Sequence, residues 1–184
     1  MRLKLLLRRP LPEWVRAAGV QVLLGVFART FDVAPPHVAL RPAAAALFAF
    51  REFSAACIEE ALASPAYAAR KRAELEARAR DLGLLVRRVL GPRDSELAGL
   101  VSFLYAAISI DVVQGDSRNL RDAFQRPARL QFQRCYFSER YTPEICAFMS
   151  AFDSGFVGGL CGGGSLQFES RITSGAPCCL AVLA

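Results

Sequence analysis

The spacing of the apolar residues changes once along this chain, and that change limits the folds open to it. As far as Ile108 they recur three and four residues apart, the period of a helix face. From Ala128 onward, stretches of strict alternation enter, the period of a strand. Trp14, Val15, Ala18, Val22, Leu23 and Phe27 define a first helix, and Pro12 suits its first turn. Pro35-Pro36 marks a break, with His37 just after it in a loop or at a helix start. Ala43 to Leu62 is an alanine-rich second helix. Ser64 as N-cap and Pro65 at the first helical position open a third, which runs to about Leu90 and stops at Gly91-Pro92. Its apolar face is Leu75, Leu82, Leu85, Val86 and Val89. Asp94 or Ser95 caps a fourth, containing Leu97, Leu100, Val101, Leu104 and Ile108.

Beyond that point Ala128 to Cys135 reads as a strand, with Leu130 and Phe132 opposite Arg129, Gln131 and Gln133. Thr142-Pro143-Glu144 opens a helix with a Thr cap that ends near Gly155 to Leu160. Leu166 to Thr173 alternates again, Ser174 to Pro177 is a turn, and Cys178 to Leu183 returns as a hairpin partner. Helices first and a short antiparallel sheet later make the class α+β. A length of 184 residues fits one domain over 1–184, with a helical region of about 1–113 and a cysteine- and glycine-rich α/β region of about 128–184.

Hydrophobic residues make up 53% of the chain, which is high, but much of this is alanine. No stretch of about twenty residues is apolar enough to span a bilayer. Leu97 to Val113 is too short and is bounded by Glu96 and Asp111. Residues 1–9 are basic and leucine-rich, but Arg8, Arg9 and Pro10 interrupt them and no cleavage site follows. The expectation is a cytoplasmic protein without a transmembrane segment. Residues 1–93 carry 16 Lys and Arg against 8 Asp and Glu, whereas 94–184 carry 7 against 9. A basic half raises nucleic acid as a partner. However, Glu74 with Arg78 and Glu76 with Arg80 stand four apart, acid first, as on a solvated helix. Aromatic and basic residues are not interleaved, so nucleic-acid binding is not expected. Pairing of the alanine-rich helices into a homodimer remains open.

One histidine, His37, leaves no room for a multi-histidine metal site. The glycines at 155, 158, 159, 162, 163 and 164 lack the Gly-Lys-Ser/Thr of a phosphate loop and follow a helix, so they read as a flexible or tightly turned connector from helix to strand, of a kind that can also cover a pocket. Cysteines stand at 57, 135, 146, 161, 178 and 179. Cys57 reads as packing. Cys135 ends one strand and Cys178-Cys179 opens another, so the fold can gather several thiols. Thiolates suit zinc, copper(I) or an iron–sulfur cluster, and they act as nucleophiles where a nearby cation lowers their pKa. Arg134 and Arg140 are candidate cations. Asp153 lies seven residues, two helical turns, past Cys146, so the two share a face.

Arg134-Cys135-Tyr136-Phe137 with Tyr141, then Glu144-Ile145-Cys146 with Asp153, then Gly175-Ala176-Pro177-Cys178-Cys179 after the Leu166–Thr173 strand resemble, in order and spacing, the L-2-amino-thiazoline-4-carboxylic acid hydrolase-like family. The likeness covers about the last fifty residues. Tyr136 stands where that family has proline, and Leu180-Ala181 where it has an acidic-aromatic pair. The resemblance implies hydrolysis of a C–N bond in a small heterocyclic or amide-like substrate. Cys135 or Cys179 would be nucleophile or metal ligand, Asp153 the proton-transfer group and Cys146 a supporting thiol. Any metal, zinc or iron, would sit on Cys135, Cys146 and Cys179. A non-catalytic metal-, haem- or small-ligand-binding protein and a dimeric interaction module are the alternatives.

Overall fold

The structure, a computed structural model, describes residues 12–38, 42–114 and 128–183. The basic, leucine-rich residues 1–9 lie outside the described residues. The elements are α1 (Glu13–Phe31), α2 (Ala43–Leu62), α3 (Pro65–Leu90), α4 (Asp94–Ala107), β1 (Ile110–Gln114), β2 (Ala128–Cys135), a 3-10 turn (Tyr136–Glu139), α5 (Pro143–Cys161), β3 (Leu166–Ser170), a second 3-10 turn (Ile172–Ser174) and β4 (Cys179–Leu183). The strands form one antiparallel sheet in the order β1-β2-β4-β3. The arrangement is α+β.

Local chemistry sets the helix ends. Pro65 occupies the first turn of α3, and Gly91, in the left-handed region at φ 53°, closes it by donating its N–H to Arg87 O at 2.9 Å. Ser64 holds the N-cap position of α3, but its side chain makes no cap hydrogen bond. The Thr142 hydroxyl accepts from Ile145 N–H at 3.3 Å and starts α5. Asp32 ends α1, and its carboxylate receives the buried Lys71 ammonium of α3 at 2.7 Å.

β1 was not visible in the spacing of apolar residues. The apolar pattern of α4 runs through Ile108 directly into Ile110, with no Gly or Pro between them. Ser109, at φ 60°, turns the chain out of the helix and into the strand. The outward faces of two helices also differ from expectation. Trp14 and Val22 of α1 are exposed, as are Leu85 and Val89 of α3; Phe27 and Leu75 are buried as expected, and Ala17, Val20 and Leu24 on α1 and Ala79 and Gly83 on α3 are buried with them.

α5 is the axis of the molecule. Its Phe148 and Phe152 rings stand 6.0 Å from Phe31 and 6.4 Å from Phe27, and Phe27 meets Phe50 edge-on at 5.3 Å. On the sheet side Tyr105 of α4 packs edge-on against Phe132 at 5.4 Å, and Phe132 lies 5.5 Å from Phe168. Contrary to the expectation that no stretch is apolar enough to span a bilayer, α5 is long and apolar enough by length and composition, alone among the described residues, and most of it is buried inside this fold.

The glycine run divides in two, which corrects its reading as a connector. Gly155, Gly158 and Gly159 belong to α5, and only Gly162, Gly163 and Gly164 form the turn. A Cβ on Gly155 would strike the carbonyl oxygen of Glu76, one on Gly159 that of Arg80, and one on Gly83 that of Phe156. The two helix backbones therefore touch, an approach that only small residues permit. That contact outweighs the cost of about 1 kcal/mol per helical glycine.

Candidate functional site

Three elements bring the chemically active side chains together around Asp153. α5 contributes Cys146 and, two turns on, Asp153. The β2–β4 register pairs Phe132 with Cys179, which sets Cys179 at the mouth of β4 on the strand beside the one that ends at Cys135. The β3–β4 register shifts between Phe168 and Ser170, where the Ser170 hydroxyl donates to Cys178 O at 3.1 Å and accepts from Leu180 N–H at 3.2 Å. This irregularity carries the chain into the second 3-10 turn and aims Ile172 N–H at the Cys179 sulfur, 3.2 Å away.

Asp153 lies deep but keeps part of its surface open. Burial pushes its carboxyl up to about 6, opposed by the Tyr105 hydroxyl, which donates to Oδ1 at 2.8 Å, and by the charge of Arg171. A carboxyl poised there exchanges protons near neutral pH, as a general acid–base requires. The Tyr105 hydroxyl is in turn pushed well above its ordinary range, first by burial and then by the Asp153 charge. It is a fixed hydrogen-bond donor. Tyr141, buried a short way off, shares a 2.6 Å hydrogen bond with Ser54 and is also raised, chiefly by burial.

The thiols respond differently. Burial raises Cys135 to about 12, although the backbone N–H groups of Phe137 and Ser138 favour its thiolate. Cys146 and Cys179 are also raised by burial. The Thr173 hydroxyl, which falls short of a full hydrogen bond, opposes this at Cys146, and the Ile172 N–H opposes it at Cys179. Arg171 acts on both in the same direction. All three are thiols at neutral pH. Metal binding requires thiolates brought to a common centre. No group of three His, Cys, Asp or Glu side chains among the described residues is spaced to hold a metal ion. Cys135, Cys146 and Cys179 thus share the Asp153 neighbourhood without forming a ligand set.

The expected cations lie elsewhere. Arg140 binds Glu59 at 2.8 Å and Glu52 at 3.1 Å on the surface of α2, and Arg134 is exposed. The cation of the site is Arg171, directly after β3. Its Nη2 and Nε donate to the Ser150 hydroxyl at 3.0 and 3.4 Å, and its guanidinium lies 5.2 Å from the Phe168 ring centre. Tyr105 gave no signal, because it joins the site only through the packing of α4 against the sheet. Cys57 is a buried thiol raised to about 11, consistent with packing, and His37 is exposed in the α1–α2 connection.

A cavity of about 360 Å³ opens beside this cluster, between α3, α5 and β3, with Arg171 on its wall. Ser165, directly after the glycine turn, lines it. No family model, no curated protein and no solved structure matches this chain.

Proposed function

We propose that this chain is a hydrolase-like enzyme that opens a C–N bond in a small heterocyclic or amide-like substrate, with Asp153 as proton carrier. The observation that carries this reading is the Asp153 carboxyl, pushed to about 6 by burial and oriented by Tyr105, on a residue that is only half-buried. In the reaction, water oxygen bonds to the substrate carbon while Asp153 takes a proton. The C–N electron pair then leaves with nitrogen, which recovers that proton from Asp153. The thiazoline class of substrate rests on the order and spacing of the motifs from Cys135 to Cys179.

Cys179, with the Ile172 N–H and the Arg171 charge beside it, has the better surroundings for a nucleophilic role. Cys135 and Cys146 complete the enclosure. The protonated state of all three favours a second reading, binding of a small ligand without turnover. A turnover assay on 2-amino-thiazoline-4-carboxylate and simple cyclic amidines separates the two. The enzyme reading expects kcat to rise through pH 6 and to fall at least about a hundredfold in Asp153→Asn. Cys179→Ser loses turnover as well only if the route is covalent. Full turnover in Asp153→Asn would refute the assignment, and binding of these compounds without hydrolysis would select the second reading.

A further inference from the structure

We infer that the cavity between α3, α5 and β3 binds the oxyanion of a small molecule, a phosphate, sulfate or carboxylate group, between Arg72 and Arg171. This cavity adjoins the Asp153 cluster and shares Arg171 with it, but the inference rests on the cavity and its two arginines and not on turnover at Asp153. The cavity, about 360 Å³, has the size of a small-ligand site. Its wall carries two arginines together with Ser150, Ser154, Ser165 and Gln167, a lining of donors.

The state of Arg171 is decisive. It is half-buried, and no carboxylate lies within ion-pair distance of it among the described residues. One edge of its guanidinium is fixed on the Ser150 hydroxyl and one face is covered by Phe168. This holds the plane still and leaves Nη1 without a hydrogen bond among the described residues. Asp153 feels the Arg171 charge from beyond ion-pair distance; a half-buried cation without a carboxylate in direct contact is favourably completed by an anion, and a guanidinium edge fits two oxygens of an oxyanion. Arg72, one turn before Glu76 on α3, is exposed and makes neither a hydrogen bond nor an ion pair among the described residues. Glu76, the acid on the cavity wall, is engaged with Arg80 at 3.5 Å and so does not neutralise the two arginines. The Ser154 hydroxyl, one turn beyond Ser150, likewise has no hydrogen bond among the described residues.

Calorimetric titration of the full chain with inorganic phosphate, sulfate and acetate, in a low-ionic-strength chloride background, tests the inference. The expected result is saturable one-to-one binding of at least one oxyanion, weakened tenfold or more in Arg171→Gln and in Arg72→Gln. Arg88→Gln, the same charge change at an exposed site on α3 away from the cavity, should leave it unchanged. Which oxyanion binds most tightly identifies the group the site takes. The inference is overturned if none of the three saturates, if Arg72→Gln binds as the unaltered chain does, or if Arg88→Gln weakens binding as much as Arg72→Gln. Arg72 is exposed, so its variant decides the matter even if Arg171→Gln fails to fold.

Discussion

Two faces of α5 are built on opposite principles. Toward α3 it presents Gly155 and Gly159, and the contact is made by main chain against main chain with no side chain between. Toward β2, β4 and α4 it presents Cys146 and Asp153, and everything of interest is side chain: a carboxyl, thiols, the Tyr105 hydroxyl and the Arg171 charge. The first face has no space into which anything can relax. The second holds polar groups at unfavourable protonation states and keeps some of their surface open. A reactive carboxyl buried in this way raises the energy of the fold, and a helix clamped along its other face can tolerate that. Rigidity and reactivity are thus divided between two sides of one helix.

The largest effect should come from breaking the rigid face. Gly155→Leu or Gly159→Leu forces a side chain into a carbonyl of α3, and a loss of about 3 kcal/mol or more in chemical denaturation is expected, beyond ordinary overpacking. A variant within 1 kcal/mol of the parent would mean that the helices are not in backbone contact.

The second test is on the reactive face. With a folded pKa of about 6 against an unfolded value near 3.9, Asp153 binds its proton more tightly in the folded state. Its contribution is favourable at low pH and declines as pH rises from about 4 to 6, leaving a cost on the order of 2–3 kcal/mol at pH 7. Asp153→Asn should flatten that part of the stability profile and unfold at higher denaturant at pH 7, even as it loses activity. A variant whose stability falls equally at pH 4 and pH 7 would contradict this account.

Smaller effects sharpen the contrast. A Cβ at Gly19 of α1 meets nothing within 4 Å, so Gly19→Ala should add roughly 0.5–1 kcal/mol, the opposite sign to the α5 glycines. Thermal denaturation of the two glycine classes side by side checks this. The smallest effect belongs to the Glu74–Arg78 pair, 2.7 Å apart and partly exposed on α3. Arg78→Gln should cost about 0.3–0.5 kcal/mol, less at high salt.

Much of this division was legible in the chain. Seven-residue spacing put Cys146 and Asp153 on one face, and strand alternation put Cys135 at the end of one strand and Cys178-Cys179 at the start of another, strands that the register makes neighbours. The acid-first pairs Glu74–Arg78 and Glu76–Arg80 form as their spacing requires. What stayed hidden depends on tertiary register. Arg171 enters the site because a shifted β3–β4 pairing is followed by a 3-10 turn, which alternation alone does not show. Tyr105 depends on how α4 lies on the sheet, and β1 on a single left-handed residue, Ser109. The helical glycines were misread because close backbone packing and a flexible linker have the same composition. They differ only in whether a second helix of small residues, here Ala79 and Gly83, exists to meet them.

The clamped face also fixes how the chain can diverge. A single residue inserted between Asp153 and Gly159 turns everything after it by about 100° about the helix axis, and the carboxyl and both glycines could not all keep their places. Related chains should therefore preserve a rule of distances more strictly than they preserve residue identities elsewhere. An acid stands two positions before a glycine, a second glycine follows four later, and a matching small residue pair lies four apart on an upstream helix. Relatives too distant for overall similarity to reveal can be sought by that ruler.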